Sequence, residues 1–229
     1  MSEHENVWEW FQVVVILAMF GVAAARWGSV PDRLPVHWNA AGEVDGYGGR
    51  FEALLLLPLV ALVLYPLLRF IPRIDPARRN YESFAGTYLL IRVVIIVYLA
   101  FIYGVTTLAI GNEESVPVAG LIIGSVGALF IVLGGAMGKL RPNWFAGIRT
   151  PWTLTSKRSW VKTHRLGGRV FIAAGVATLV GALVGDDWAF YAMMGVMLPG
   201  VVFMFAYSYV VWRDDPDKVS AQDVTPAEK

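Results

Sequence analysis

The sequence predicts an all-α membrane protein, a bundle of six transmembrane helices with both termini cytoplasmic. Three observations carry this prediction. Hydrophobic residues make up 56% of the 229-residue chain and charged residues only 16%, against roughly 25% charged in soluble globular proteins. The charge is confined to short stretches between apolar runs, and each run reaches the roughly 20 helical residues needed to cross a bilayer core about 30 Å thick. Lys and Arg are divided unequally among the connecting segments, which fixes an orientation. The net charge of +1 excludes a nucleic-acid-binding domain of the usual basic kind. With no cysteine, disulfides, thiolate metal sites and thiol nucleophiles are excluded as well.

The first span runs from Trp8 to Trp27, with Trp8, Trp10 and Trp27 placed where indoles settle at a membrane interface. Its flank MSEHENVWEW is acidic and lacks Lys and Arg, whereas a secretory leader begins with a basic segment. It is therefore read as a retained helix. The second span covers about 51–68, the third about 86–110, the fourth about 116–138, the fifth about 166–184 and the sixth Trp188 to Trp212. With the N-terminus inside, that side collects 15 of the 19 Lys and Arg, the other side three, and Arg92 lies within the third span. The expected location is the cytoplasmic membrane.

Small residues at four-residue spacing, Gly120/Gly124, Gly134/Gly138 and Gly181/Gly185, predict close packing of the fourth and fifth spans. Pro58 and Pro66 in the second span and Pro199-Gly200 in the sixth predict kinks; a broken helix at a transport site is the sharper alternative. Arg92 reads as the one ionisable residue well inside a span, hence either functional or snorkelling to an interface about two turns away.

Between the first two spans lies a polar outer loop, residues 28–50, with Pro31, Pro35, Gly42, Gly46, Gly48 and Gly49 as turn residues. Its functional groups are His37, Trp38, Asn39, Glu43, Asp45 and Tyr47. Three readings stand side by side. They could bind a divalent cation, although their spacing matches no metal signature and none is assigned; they could form a compact cap with Asn39 and Asp45 bonding turn amides; or they could dock an external ligand. The outer side as a whole carries the carboxylates Asp32, Glu43, Asp45, Glu52, Glu113, Glu114, Asp186 and Asp187 against three arginines, which favours a cationic or amphipathic ligand.

The longest connection, residues 139–169, is expected on the inner side. Thr150-Pro151 predicts an extended bend, and Thr155 or Ser156 a cap for a short helix leading to the fifth span. Trp160, His164 and Gly167 then share one helical face. That helix is expected at the interface with Trp160 inserted into it, and His164 as a hydrogen-bonding partner rather than a catalyst.

The run Arg141-Pro142-Asn143-Trp144-Phe145, then Gly147-Ile148-Arg149-Thr150-Pro151-Trp152-Thr153-Leu154, followed by Trp160 and Thr163-His164-Arg165, resembles the signature of the SdpI family of bacterial membrane proteins. The outer loop, Leu34-Pro35-Val36-His37-Trp38-Asn39 with Gly42-Glu43-Val44-Asp45-Gly46-Tyr47, resembles a domain of unknown function that commonly precedes the SdpI segment. The resemblance divides the chain into an N-terminal three-helix half, 1–112, and an SdpI-like half, 113–229. It implies immunity to a secreted antimicrobial peptide toxin met at the outer face. It also implies sequestration of a small winged-helix repressor at the cytoplasmic face, through a surface shaped by Asn143, Gly147, Arg149, Thr150, Pro151, Trp152, Trp160, Thr163 and His164. Neither a cofactor nor direct contact with nucleic acid is implied. Two other classes are weighed against this one. A small-solute or ion-coupled transporter requires a path lined by polar side chains, and the spans offer few. A membrane-embedded enzyme would have to use His37 with Glu43 or Asp45, or His164 with Arg149, without any motif of recognised spacing.

Overall fold

The computed structural model describes residues 3–39, 43–112 and 115–219. Gly42, Glu113, Glu114 and Lys229 lie outside the described residues, as does the side chain of Asp186. Six helices are long and apolar enough to cross a membrane. In chain order these are α1 (Glu3–Arg26), α3 (Leu56–Ile74), α4 (Ala85–Ala109) with a 3-10 lead-in (Arg78–Phe84), α5 (Val118–Met137), α7 (Lys157–Ala182) and α8 (Asp186–Arg213). Two short helices, α2 (Arg50–Leu54) and α6 (Pro151–Thr155), precede α3 and α7. The break between α2 and α3 falls at Leu55, because Pro58 has no N–H to bond the carbonyl of Leu54.

The sequence locates the six spans, but the fifth begins at Lys157 rather than near 166. The helix expected to start at Thr155 or Ser156 is continuous with the fifth span: Ser156 caps α7, and Trp160 and His164 sit on the first turns of α7 itself. The outer loop also forms two strands that the helical reading did not foresee, β1 (Leu34–Trp38) and β2 (Val44–Gly48), paired antiparallel with an irregularity around His37. Pro35 and the glycines of β2 hide the alternation that normally announces a strand.

Helices α1, α3 and α4 pack on one another, α7 packs most extensively on α5 and α8, and α4 meets α5. Many large apolar side chains remain exposed, among them Leu62, Val63, Val202 and Phe203, as expected where lipid takes the place of water. One end of the bundle gathers Glu9 of α1, the 75–84 connection, the 138–156 connection and the segment after α8. Asn80 donates to the carbonyl of Pro142 there, and Arg158 to that of Asp214. The β-hairpin and the α4–α5 and α7–α8 connections lie at the opposite end.

The expected contact between the fourth and fifth spans is present, through different glycines. A Cβ on Gly134 would lie 2.7 Å from the carbonyl oxygen of Gly168, and one on Gly175 2.4 Å from that of Gly127. The matched spacing is therefore seven residues on each helix, two full turns. Gly120 and Gly124 instead border an open groove, and Gly181 packs on Trp188 and Ala189 of α8. Gly134→Val should separate α5 from α7, costing about 1–3 kcal/mol through overpacking. Gly124→Val, with open space around its Cβ, should leave thermal unfolding in detergent unchanged.

Candidate functional site

At the end of the bundle opposite the hairpin, the segment between α5 and α7 folds into a closed polar knot. Asn143, 1% exposed, satisfies all its groups locally. Its amide donates to the carbonyls of Arg141 and Ala146 at 2.9 and 3.0 Å, and its Oδ1 accepts from the N–H groups of Phe145 and Ala146. Gly147 follows with φ +110°, and a Cβ there would fall 2.3 Å from Nε2 of His164. Only glycine fits, for both reasons. The bare backbone lets the next N–H, that of Ile148, donate to His164 Nε2 at 2.9 Å.

His164 donates from Nδ1 to the carbonyl of Trp160 at 2.8 Å, so the two ring nitrogens have opposite roles and the network fixes a neutral tautomer. Its ring stacks on Trp160 with centroids 4.1 Å apart. Trp160 is fully buried and donates from Nε1 to Leu140 at 3.0 Å. The interfacial position expected for Trp160 is thus corrected: it anchors the knot inside the bundle. The basic residues Lys157, Arg158, Lys162 and Arg165 occupy the exposed faces of the same turns, which leaves the opposite face free to bury.

Thr150 caps α6 by accepting from the N–H of Thr153, with Pro151 in the favoured first position. Thr150 Oγ1 also meets Ser208 Oγ of α8 at 3.0 Å. Ser156 caps α7 by accepting from the N–H of Ser159, and its hydroxyl donates to Asp215. That bond holds the Asp215 carboxyl below its usual range, so the tail contact is complete above the ordinary carboxylate value and is lost only as pH falls through the depressed one. Trp152 packs edge-on against Phe205 and Tyr209. Thr163 is buried, and its hydroxyl has no hydrogen-bond partner among the described residues.

The signature therefore separates into two sets. Asn143, Thr150, Trp160, Thr163 and His164 lie inside, holding the shape. Arg149 lies outside, its guanidinium donating to the carbonyl of Trp144 at 2.6 Å, beside the exposed rings of Trp144 and Phe145. One contributor that the sequence did not reveal is Asp75, 1% exposed. It accepts from the Tyr81 hydroxyl at 2.8 Å and from the N–H of Trp144 at 3.0 Å, tying the two connections together. The one available signal was a lone acid in the otherwise basic run 69–79.

At the hairpin end the predicted residues are only partly assembled. Asn39 caps the loop as expected, accepting from the N–H of Glu43 at 2.9 Å while its amide donates to the Glu43 carboxylate. Asp45 pairs with Nδ1 of His37 and bonds no turn amide among the described residues, residues 40–42 of the turn lying outside them. Tyr47 is 53% exposed with the Arg33 guanidinium 4.4 Å above its ring. Among the described residues no three His, Asp or Glu side chains converge as a metal site would require. Beneath the hairpin lies a cavity of about 750 Å³, lined mainly by apolar side chains of α3, α4 and α5, with His37, Trp38, Asn39, Glu52 and Thr106 as its more polar wall. Glu43, Asp45 and Tyr47 are not part of that lining.

Inside the membrane region Arg92 does not snorkel. It forms a two-pronged bond to Glu9 of α1, with both distances 2.8 Å and 8% of its side chain exposed. Glu9 also pairs with Arg69 at 2.6 Å and accepts from the Tyr65 hydroxyl at 3.0 Å. Glu9, near the start of α1, thus answers the charge of Arg92 from the end of the bundle. Glu9, set in an acidic flank, gave no sign of this from the sequence.

Residues 139–208 match the SdpI/YfhL protein family, and residues 14–62 match the domain of unknown function DUF1648. The chain is 22% identical over 204 residues to the protein called Immunity protein SdpI of Bacillus subtilis (strain 168), covering 88% of this chain and 94% of that one. No solved structure gives a significant match. The resemblance read from the loop motifs is thereby shown: this chain is a multi-pass membrane protein with one segment that matches DUF1648 and another that matches the SdpI/YfhL family model.

Proposed function

We propose that the chain is an integral immunity and sensor protein of the cytoplasmic membrane, which gives resistance to a secreted antimicrobial peptide toxin and signals its presence by holding a small winged-helix repressor. The observation that carries this reading is the alignment with Immunity protein SdpI over nearly the full length of both chains. The geometry supports a division of labour. The hairpin end offers exposed carboxylates above a largely apolar cavity, suited to an amphipathic and cationic peptide. The opposite end offers Trp144, Phe145 and Arg149 on a rigid buried base, a group of aromatic and arginine side chains of the kind that dominates protein interfaces.

Expression in a toxin-sensitive host tests both halves. The wild-type chain should restore growth in the presence of the cognate peptide. Arg149→Ala, a change at an exposed residue, should keep the protection but lose co-purification of the repressor. Absence of protection against every peptide encoded near relatives of this chain would contradict the immunity reading. Unchanged repressor capture by Arg149→Ala would contradict the assigned surface.

A further inference from the structure

We propose that the free edge of β1 takes up a cationic peptide as an added, extended strand, with alternate apolar side chains of the peptide seated in the cavity beside it. This mode of binding rests on the immunity reading for the ligand being a peptide. Among the described residues the hairpin has only two strands, so β1 pairs with β2 along one edge and has no strand along the other. That second edge borders the cavity of about 750 Å³. Five consecutive residues, Pro35 to Asn39, line the cavity, and no residue of β2 does. A strand that turned its flat side to a cavity would contribute alternate residues. A continuous run, with the partner strand excluded, means that β1 meets the cavity edge-on.

Among the described residues no backbone hydrogen bond from outside the hairpin reaches residues 35–38. Unpaired N–H and C=O groups on a strand edge are a template for another strand. Extended peptides bind in this way, with main-chain bonds giving affinity and pockets for alternate side chains giving selectivity. The edge is held in place before any ligand arrives: Leu34, 1% exposed, is buried with Val30 and Leu54, and Trp38 packs on Val105 and Val118. Little ordering cost then falls on binding. Pro35 has no N–H, which limits the stretch on offer to residues 36–39 and guards the edge against indiscriminate pairing. The facing wall is apolar, with Ile102 of α4 and Ile122 and Ile123 of α5 placed to receive apolar side chains. A lipid chain would cover that wall and leave the strand edge unpaired; a peptide satisfies both. Among the described lining residues Glu52 is the one carboxylate, and there is no Lys or Arg. The nearby Arg33 lies over Tyr47 and Arg50 pairs with Asp32, and the stretches 40–42 and 113–114 contain no Lys or Arg either. A cationic peptide is therefore favoured over an anionic one.

The test uses the full chain in phosphatidylcholine nanodiscs, with fluorescence anisotropy reading the binding of a short labelled peptide of alternating valine and lysine. This peptide should bind, and a valine–glutamate counterpart should bind roughly tenfold more weakly. N-methyl groups on the valine amides and on the lysine amides block opposite edges of an extended peptide. One methylated set should therefore weaken binding roughly tenfold or more, the loss of two or more main-chain hydrogen bonds, while the other leaves it nearly unchanged. Equal effects of the two sets, or no binding of the unmodified peptide, would overturn strand addition. The position is read by cross-linking, since the chain has no cysteine of its own. A peptide with one valine replaced by cysteine should form a disulfide with Val36→Cys and not with Tyr47→Cys on the far strand, and the reverse pattern would overturn the placement. A disulfide between two Val36→Cys chains without peptide would give the edge to a second copy and overturn the peptide assignment. Growth protection by the wild type together with equal effects of the two methylated sets would remove this binding mode alone, whereas absent protection would remove the immunity reading beneath it.

Discussion

Trp160→Ala should lower the stability of the detergent-solubilised protein by about 3–5 kcal/mol, the range for removing a large buried aromatic side chain. Three connected losses make this the most damaging single change at the signature end. The indole is fully buried in a cluster with Ile71, Tyr81, Phe84, Tyr88, Met137 and Leu140. Its ring supports His164 by stacking, and His164 in turn holds the N–H of Ile148. The Leu140 carbonyl loses its donor. Trp160→Phe keeps most of the packing and forfeits chiefly that hydrogen bond, so it should cost only about 1 kcal/mol. Thermal unfolding followed by circular dichroism separates the two variants. Equal and small effects would mean that the knot does not depend on this anchor.

The second large effect is expected at Glu9. Glu9→Gln removes one partner of an ion pair whose other member, Arg92, is almost wholly buried. Breaking such a pair from one side costs about 3–5 kcal/mol, because the remaining charge is left uncompensated. Replacing both partners with uncharged residues of similar size is commonly far milder. Glu9→Gln/Arg92→Met should therefore be more stable than Glu9→Gln alone. The remaining guanidinium, Arg69, has 26% of its side chain exposed and can turn toward the headgroups. If the double variant is no better than the single one, Glu9 and Arg92 do not act as a buried pair.

Periodicity and motif order reveal much of the fold, and long-range pairing explains most of what they hide. The spans were legible because twenty apolar residues leave few other solutions. The shared face of Trp160, His164 and Gly167 followed from helical spacing, and all three are buried on α7. Their depth was misread because Lys157, Arg158, Lys162 and Arg165 suggested a helix lying at the headgroups, when two faces of one transmembrane helix satisfy both patterns. The Glu9–Arg92 contact joins residues 83 apart in sequence and leaves no local trace. Asp75 serves a loop 69 residues away, with the same consequence. In the hairpin, Asn39 was legible as a local turn cap, whereas the His37–Asp45 pairing depends on a strand register that Pro35 and the glycines obscure.

The division of the molecule into a ligand-facing hairpin end and a partner-facing signature end meets its most direct test in cysteine labelling, which the absence of native cysteine makes clean. Tyr47→Cys and Phe145→Cys introduce thiols at exposed positions on opposite ends of the bundle. In intact cells a membrane-impermeant maleimide should label position 47 and leave position 145 untouched until the membrane is opened. Labelling of position 145 with protection of position 47 would place both recognition surfaces in the wrong compartments and contradict the account.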